Sequence, residues 1–293
     1  MCLLALALGR HARFPLVIAA NRDEYFARAT EPLQWWSPAP SAGGILSGRD
    51  LAAGGTWMGL TAEGRLALLT NVRATGQNDP AAPSRGRIVS DWLSSIDPID
   101  RFWQRTAAQH HNGFNLIAAD WRRGGCFRVS STSAGPEPIE AGLYGLSNAG
   151  FDSPWPKVLA LKARLAEALE DATATDALAA RLFAALSDRS VAPDAALPST
   201  GLPLEAERGL SSAFVDMPER GYGTRSSTLV IVERTEGPPG LDVAHVFERT
   251  FDESRAPTAR VRRTRIEHWP LAEGSPAVAV TAHREPVIET ALA

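Results

Sequence analysis

"CLLALALGRHARFPLVIAANRDE" spans residues 2–24, and its reading decides the fold. Two apolar, β-compatible runs, residues 3–8 and 14–20, flank the polar "GRHAR". That arrangement predicts an antiparallel hairpin. The runs are nearly unbroken rather than alternating, which predicts strands buried on both faces. A hairpin returns the chain to where it started. Cys2 is therefore expected beside the polar end of the second strand, Asn21-Arg22-Asp23-Glu24. Two readings of Cys2 stand side by side. It is a small hydrophobe opening a buried strand, or, with Met1 removed, a residue carrying a thiol and a free amine on neighbouring atoms of one N-terminus.

The pattern extends outward from this hairpin. "TWMGL" (56–60) and "RLALLTN" (65–71) flank Glu63-Gly64, a turn signal, and predict a second hairpin. The Trp- and Pro-rich "EPLQWWSPAPSAGG" (31–44) reads as irregular. Residues 114–120, 126–131 and 143–148 read as strands, and 86–95 and 98–110 as helices. Residues 155–170 place Val158, Leu161, Leu165 and Leu169 on one helical face, and 175–187 repeat the pattern with Leu178, Leu182, Phe183 and Leu186. "SVAPDAALPSTGLPLEAERG" (190–209) is broken by proline and reads as a long surface loop. The tail returns to strand at 227–234, turns at "GPPG" (237–240), and continues as strand through 241–251 and 259–269. Strands grouped by hairpin turns, with helices inserted mid-chain, predict an α+β layered architecture in a single domain over residues 1–293.

Composition narrows the function classes. Of 293 residues, 44% are hydrophobic and 22% charged, with a formal net charge of −3, which argues against nucleic-acid binding or attraction to an anionic membrane. No apolar stretch approaches bilayer-spanning length, so no integral membrane association is expected. Two cysteines, Cys2 and Cys126, make no disulfide framework, and a reducing, cytoplasmic location is expected. Neighbouring residues diverge on a helix, so His110-His111 predicts no metal site. Cys126 reads as an inert core thiol, and Trp155 and Lys157 as packing residues around Pro156.

Polar residues recur where apolar runs stop: Asn21 to Glu24 after "LVIAA", Asn71 and Arg73 after "LALLT", Asn148 after "YGLS", and Arg225 ahead of "SSTLVIV". Strand ends are rigid and accessible, which suits them to carry a site.

"MC" at the start, "NRDE" (21–24), "GGTWMGL" (54–60), "LTNVR" (69–73), "GLSNAGFDSPWPKV" (145–158) and "YGTRSSTLVIV" (222–232) together resemble the NRDE family, also called the transport and Golgi organisation protein 2 family. That family is similar in pattern to N-terminal-nucleophile hydrolases of the cholylglycine hydrolase and penicillin V acylase type. The resemblance implies a four-layer αββα sandwich. It also implies Cys2 as nucleophile, Asp23 as the aspartate after the second strand, Asn71 and Asn148 near the oxyanion, and Arg225 beside the thiol. Ala20 stands where those hydrolases carry an arginine, and Arg22 alternates to the other side of the strand from Asp23.

Two functions follow. The first is hydrolysis of a carboxamide C–N bond in a small molecule by an N-terminal cysteine, with no cofactor required. The second is non-catalytic handling of haem or an acyl-coenzyme A, with Asn21, Arg22, Glu24, Trp57 and Arg73 as ligand-binding residues and haem as a ligand rather than a cofactor. The first needs the thiol, an amine base and an oxyanion donor. The second needs an apolar pocket edged by guanidinium groups.

Overall fold

A computed structural model describes residues 2–40, 42–73, 78–235, 242–253 and 261–271, with Cys2 described by its backbone alone. The "GPPG" turn expected at 237–240 lies outside the described residues.

The opening hairpin forms as β1 (Cys2–Leu8) and β2 (Leu16–Tyr25). Next come β3 (Thr30–Trp36), β4 (Ile45–Asp50), β5 (Met58–Thr61) and β6 (Arg65–Asn71), the last two being the second expected hairpin. Helices α1 (Gly86–Ser94) and α2 (Ile99–Ala107) lead to β7 (Phe114–Asp120), β8 (Gly125–Ser130), β9 (Glu137–Pro138) and β10 (Gly142–Leu146). Then come α3 (Pro156–Glu170), α4 (Thr175–Leu186) and the short α5 (Leu204–Gly209). The chain closes with β11 (Asp216–Met217), β12 (Tyr222–Glu233), β13 (Asp242–Thr250) and β14 (Arg262–Trp269).

These strands form two antiparallel sheets. One runs β10-β1-β2-β12-β13-β14, with β11 alongside β12; the other runs β3 through β9 in chain order. Three apolar cores fix the layers. Leu3, Ala5, Val17, Ala19, Leu229 and Ile231 pack under Leu161, Leu165, Leu178 and Leu182 of α3 and α4. Leu4, Leu6, Leu16, Ile18, Val230 and Val232 face Leu46, Leu60, Leu66 and Leu68 of the second sheet. The outer face of that sheet, with Ala67, Leu116 and Ala118, is covered by Ile88, Val89, Trp92 and Phe102 of α1 and α2. The molecule is thus a four-layer αββα sandwich. Because both faces of β1 and β2 are covered, neither can show polar alternation, which is why those runs read as continuously apolar.

Two expectations change. The stretch read as irregular contains β3, and Pro32 does not exclude it. This strand is at the sheet edge, with β4 as its one strand neighbour among the described residues, and its register shifts between Glu31 and Gln34 around the proline. The stretch 190–209, read as loop, ends in α5. Pro203 precedes the helix, Glu205 lies in its first turn, and Glu207 is buried. No helix among the described residues is long and apolar enough to cross a membrane.

Candidate active site at the end of the second strand

Strand β2 lies between β1 and β12, and its polar end is shared between two layers. Side chains alternate along a strand, so Asn21 and Asp23 follow Val17 and Ala19 toward the helices, while Arg22 follows Leu16 and Ile18 between the sheets. Asn21 is fully occupied. Its Nδ2 donates to the Leu186 and Ala213 carbonyls at 2.8 Å each, and its Oδ1 accepts from the Ser227 hydroxyl at 2.6 Å. It pins β2 and β12 to the end of α4.

Asp23 is buried and accepts from Thr224 Oγ1 at 2.8 Å, and its backbone carbonyl accepts from the Tyr222 hydroxyl at 3.0 Å. Burial pushes its carboxyl pKa up, against the pull of Lys157, the Thr224 hydroxyl and Arg22. Lys157 comes from the first turn of α3 and is itself buried. Arg22 is held differently. Its guanidinium lies over the Trp57 ring at 4.4 Å, and its polar neighbours are distant: Thr30 Oγ1 at 3.5 Å, Glu24 and Asp50 at 3.8 Å. Trp57 has room to lie there because Gly48 is beneath it; a Cβ on Gly48 would come within 2.4 Å of the indole.

Cys2 is placed by register. Its backbone pairs with Arg22, one residue from Asp23, as the hairpin requires. Beside this pair opens a cavity of about 440 Å³. Arg22, Asp23, Glu24, Trp57 and Asn71 line it. Glu24 Oε1 accepts from the Tyr25 backbone N–H at 3.0 Å, and Arg28 Nε donates to Asp50 at 2.8 Å across the cavity edge.

The other expected residues have different positions. Asn148 lies just past β10, and its Nδ2 donates to the Asn71 carbonyl at 2.7 Å. Its own carbonyl accepts from the Arg73 N–H at 2.7 Å, so it clasps one sheet to the other. Arg73 forms a buried pair with Glu207 of α5 at 2.6 Å and lies over Trp155 at 4.7 Å. Burial lowers the Arg73 pKa while Glu207 holds it up. Arg225 Nη1 donates to the carbonyls of Tyr25, Phe26 and Arg28 at 2.7, 3.1 and 3.0 Å, bracing the β2–β3 connection. It is not among the described residues lining the 440 Å³ cavity. So Asp23, Arg22, Glu24, Asn71 and Trp57 share the cavity with the Cys2–Arg22 pair, while Asn21, Asn148, Arg73 and Arg225 brace the surrounding chain.

Lys157, a packing residue on sequence grounds, and Thr224, which the sequence does not single out, both act on Asp23. Lys157 carried a signal, a lysine at the buried start of a helix beside proline. Thr224 carried none beyond its place next to Arg225. Cys126 is half-buried, and burial pushes its thiol up to about 12, which keeps it protonated. No group of His, Cys, Asp and Glu among the described residues is arranged to hold a metal ion. His111 instead contacts the Pro83 carbonyl at 3.0 Å and Gln109 at 3.1 Å.

Comparison with known proteins identifies relatives. The chain is 36% identical over 234 residues to the Transport and Golgi organization protein 2 homolog of Bos taurus, covering 75% of this chain and 83% of that protein. It is 34% identical over 232 residues to the Homo sapiens homolog, with coverage of 75% and 83%. Among solved structures, the Caenorhabditis elegans N-acylethanolamine-hydrolyzing acid amidase ortholog superposes with a TM-score of 0.48 at 11% identity, over 78% of this chain and 92% of that one. The profile described as Transport and Golgi organisation 2 matches residues 1–253, and it is to this family that the chain belongs.

Proposed function

We propose that this protein is an N-terminal-cysteine hydrolase that cleaves the C–N bond of a small carboxamide. The observation that carries the reading is the convergence at one cavity: the Cys2–Arg22 backbone pair, the buried Asp23 next to it, and Asn71 on the facing sheet. The αββα architecture supports it, because it is the architecture that the sequence resemblance to N-terminal-nucleophile hydrolases implies.

The chemistry requires removal of Met1. The Cys2 α-amine then takes the thiol proton, and the sulfur bonds to the amide carbon. The C–N bond breaks, and the leaving amine departs with that proton. Water attacks the thioester, a C–O bond replaces the C–S bond, and the thiol is restored. Asp23 would orient the α-amine. Asn71 suits the oxyanion better than Asn148, whose Nδ2 is already engaged. One oxyanion donor contributes roughly 3 kcal/mol in the transition state.

The test is an intact mass of protein made in a host with methionine aminopeptidase, then a screen of linear amides. The expected outcome is loss of one methionine, turnover by the processed chain, and complete loss of turnover in Cys2→Ala. Turnover surviving in Cys2→Ala overturns the reading.

A second reading, non-catalytic handling of an anionic ligand, is favoured by the loosely held Arg22, whose polar contacts are 3.5 Å or longer. Arg28 and Arg85 line the same cavity. No histidine or methionine occurs among its described lining residues, so Cys2 beside the cavity would be the iron ligand for haem, whereas the arginines, sharing the wall with Asp23, Glu24, Asp50 and Asp79, would take the phosphates of an acyl-coenzyme A. Titration of Cys2→Ala with each ligand separates the readings. Saturable binding without turnover in the unmutated protein supports the second, and no binding of either ligand rejects it for both.

A further inference from the structure

Trp57 has a second cavity beside it. This one, about 270 Å³, is lined by Trp57 and by Phe26, Arg225, Ser226, Glu248 and Phe251. It opens where the inter-sheet core changes character. On β12 and β13, Val230, Val232, Ala244 and Val246 face the second sheet, and the same phase continues into Ser226, Thr228 and Glu248. Across the sheet Arg22 is paired with Ser226, and Thr228 with Glu248.

Glu248 is 1% exposed. Its Oε1 accepts from the Leu33 N–H of the facing sheet at 2.6 Å, but its Oε2 has no hydrogen-bond partner among the described residues. Ser226 Oγ, 4% exposed, is also without one. Buried carboxyl groups are normally paired and buried hydroxyls bonded, so two orphaned oxygens lining one cavity need a cause. The cavity supplies a direction for it. Glu31, Asp252 and Glu253 stand in its wall with Glu248, against one cation among the described lining residues, Arg225, whose Nη1 is bonded to three carbonyls. Phe26, Trp57 and Phe251 add three aromatic side chains to the wall, alongside Thr30, Pro32 and Thr250. Carboxylates and aromatic faces together favour a bound cation and disfavour an anion.

We infer that this cavity is a binding site for a primary ammonium group on a short aromatic or apolar stem, with Glu248 Oε2 and Ser226 Oγ accepting from the ammonium. Burial pushes the Glu248 carboxyl up to about 7, outweighing the Leu33 N–H, the charges of Arg262 and Arg22, and the Thr228 hydroxyl; an arriving cation would add to the countercharge that those arginines supply. The inference goes beyond the hydrolase reading, because the site needs no thiol and its test reads binding rather than turnover.

The probes are benzylamine, benzamide and benzoate, three near-isosteres that differ in charge. Titration is followed by tryptophan fluorescence and by chemical-shift changes around Glu248. Benzylamine is expected to bind saturably and at least about tenfold more tightly than benzamide, with benzoate weakest. Glu248→Gln keeps the shape and the acceptor for Leu33, and should weaken benzylamine about tenfold or more; Ser226→Ala should weaken it a few-fold. Three results overturn the inference: no saturable benzylamine binding, benzamide or benzoate binding as tightly, or unchanged benzylamine affinity in either variant that retains the native spectrum.

Discussion

The core between the two sheets ends in a tryptophan at each extremity, and the two ends are built differently. At one end Trp269 is completely buried, its Nε1 donates to the Thr61 carbonyl at 2.8 Å, and its ring leans on Trp121 at 5.8 Å. Ala244, Ile266 and Leu60 belong to the same apolar core. At the other end Trp57 is half-buried, carries the Arg22 guanidinium on its face, and has a cavity on two sides. One end is sealed by satisfied, close-packed groups. The other keeps loosely bonded charge and two orphaned oxygens next to open volume. A sandwich of uniform hydrophobicity would be sealed at both ends; here the polar row from Arg22 to Glu248 leaves one end open.

The difference can be broken or sharpened by measurement. The largest effect is expected at the sealed end. Trp269→Ala removes a buried ring and the shorter of two hydrogen bonds to the Thr61 carbonyl, the other coming from the Gly64 N–H at 3.3 Å, which should cost about 3–5 kcal/mol by chemical denaturation. A loss below about 1 kcal/mol would mean that this end is not the anchor described. Glu248 gives the next effect, with opposite sign. Its carboxyl is pushed from 4.5 up to about 7, so the folded chain holds its proton to higher pH than the unfolded chain does. Stability from this group is fully present below pH 4.5, falls as pH rises to about 7, and stays low above that. The full span is on the order of 3 kcal/mol. Glu248→Gln should therefore stabilise the protein at pH 8 by about 1–3 kcal/mol and flatten the profile between those pH values. An unchanged profile would show that Glu248 is ionised and paired. The smallest effect is expected from Trp57→Ala, about 1 kcal/mol, mainly the lost stacking of Arg22. A loss matching that of Trp269→Ala would erase the contrast between the ends.

Much of this architecture is legible without coordinates, for reasons that particular residues show. The first hairpin reads cleanly because Gly9 to Arg13 interrupt two apolar runs that nothing else can explain. The mid-chain helices read because Leu161, Leu165 and Leu169 keep a helical spacing. Strand β3 is missed because Pro32 and two tryptophans imitate a loop; a proline penalises a central strand, and its location at an edge is a tertiary fact. The site is half legible. Residues 21–24 and Asn71 attract notice because polar groups end apolar runs. What each one does depends on facing layers that strand position alone does not give. Asn21, Arg73 and Arg225 look like ligand-facing groups in one dimension, yet their bonds go to Leu186, Glu207 and the Tyr25 carbonyl. Glu248 was legible in principle, since it occupies the core-facing phase of Ala244 and Val246, where a carboxylate is out of place.

The Asn148 clasp has a mechanical consequence. Apolar contact between two sheets resists their separation, but it is nondirectional and offers little resistance to shear, one sheet sliding over the other. The bonds from Asn148 Nδ2 to the Asn71 carbonyl and from the Arg73 N–H to the Asn148 carbonyl are directional and cross that gap. They act as a latch against slip at the end where Asn71 and Arg22 line one cavity, and with the bonds from Leu33 to Glu248 and from Trp269 to Thr61 they add direction to an alignment that apolar contact alone would leave loose.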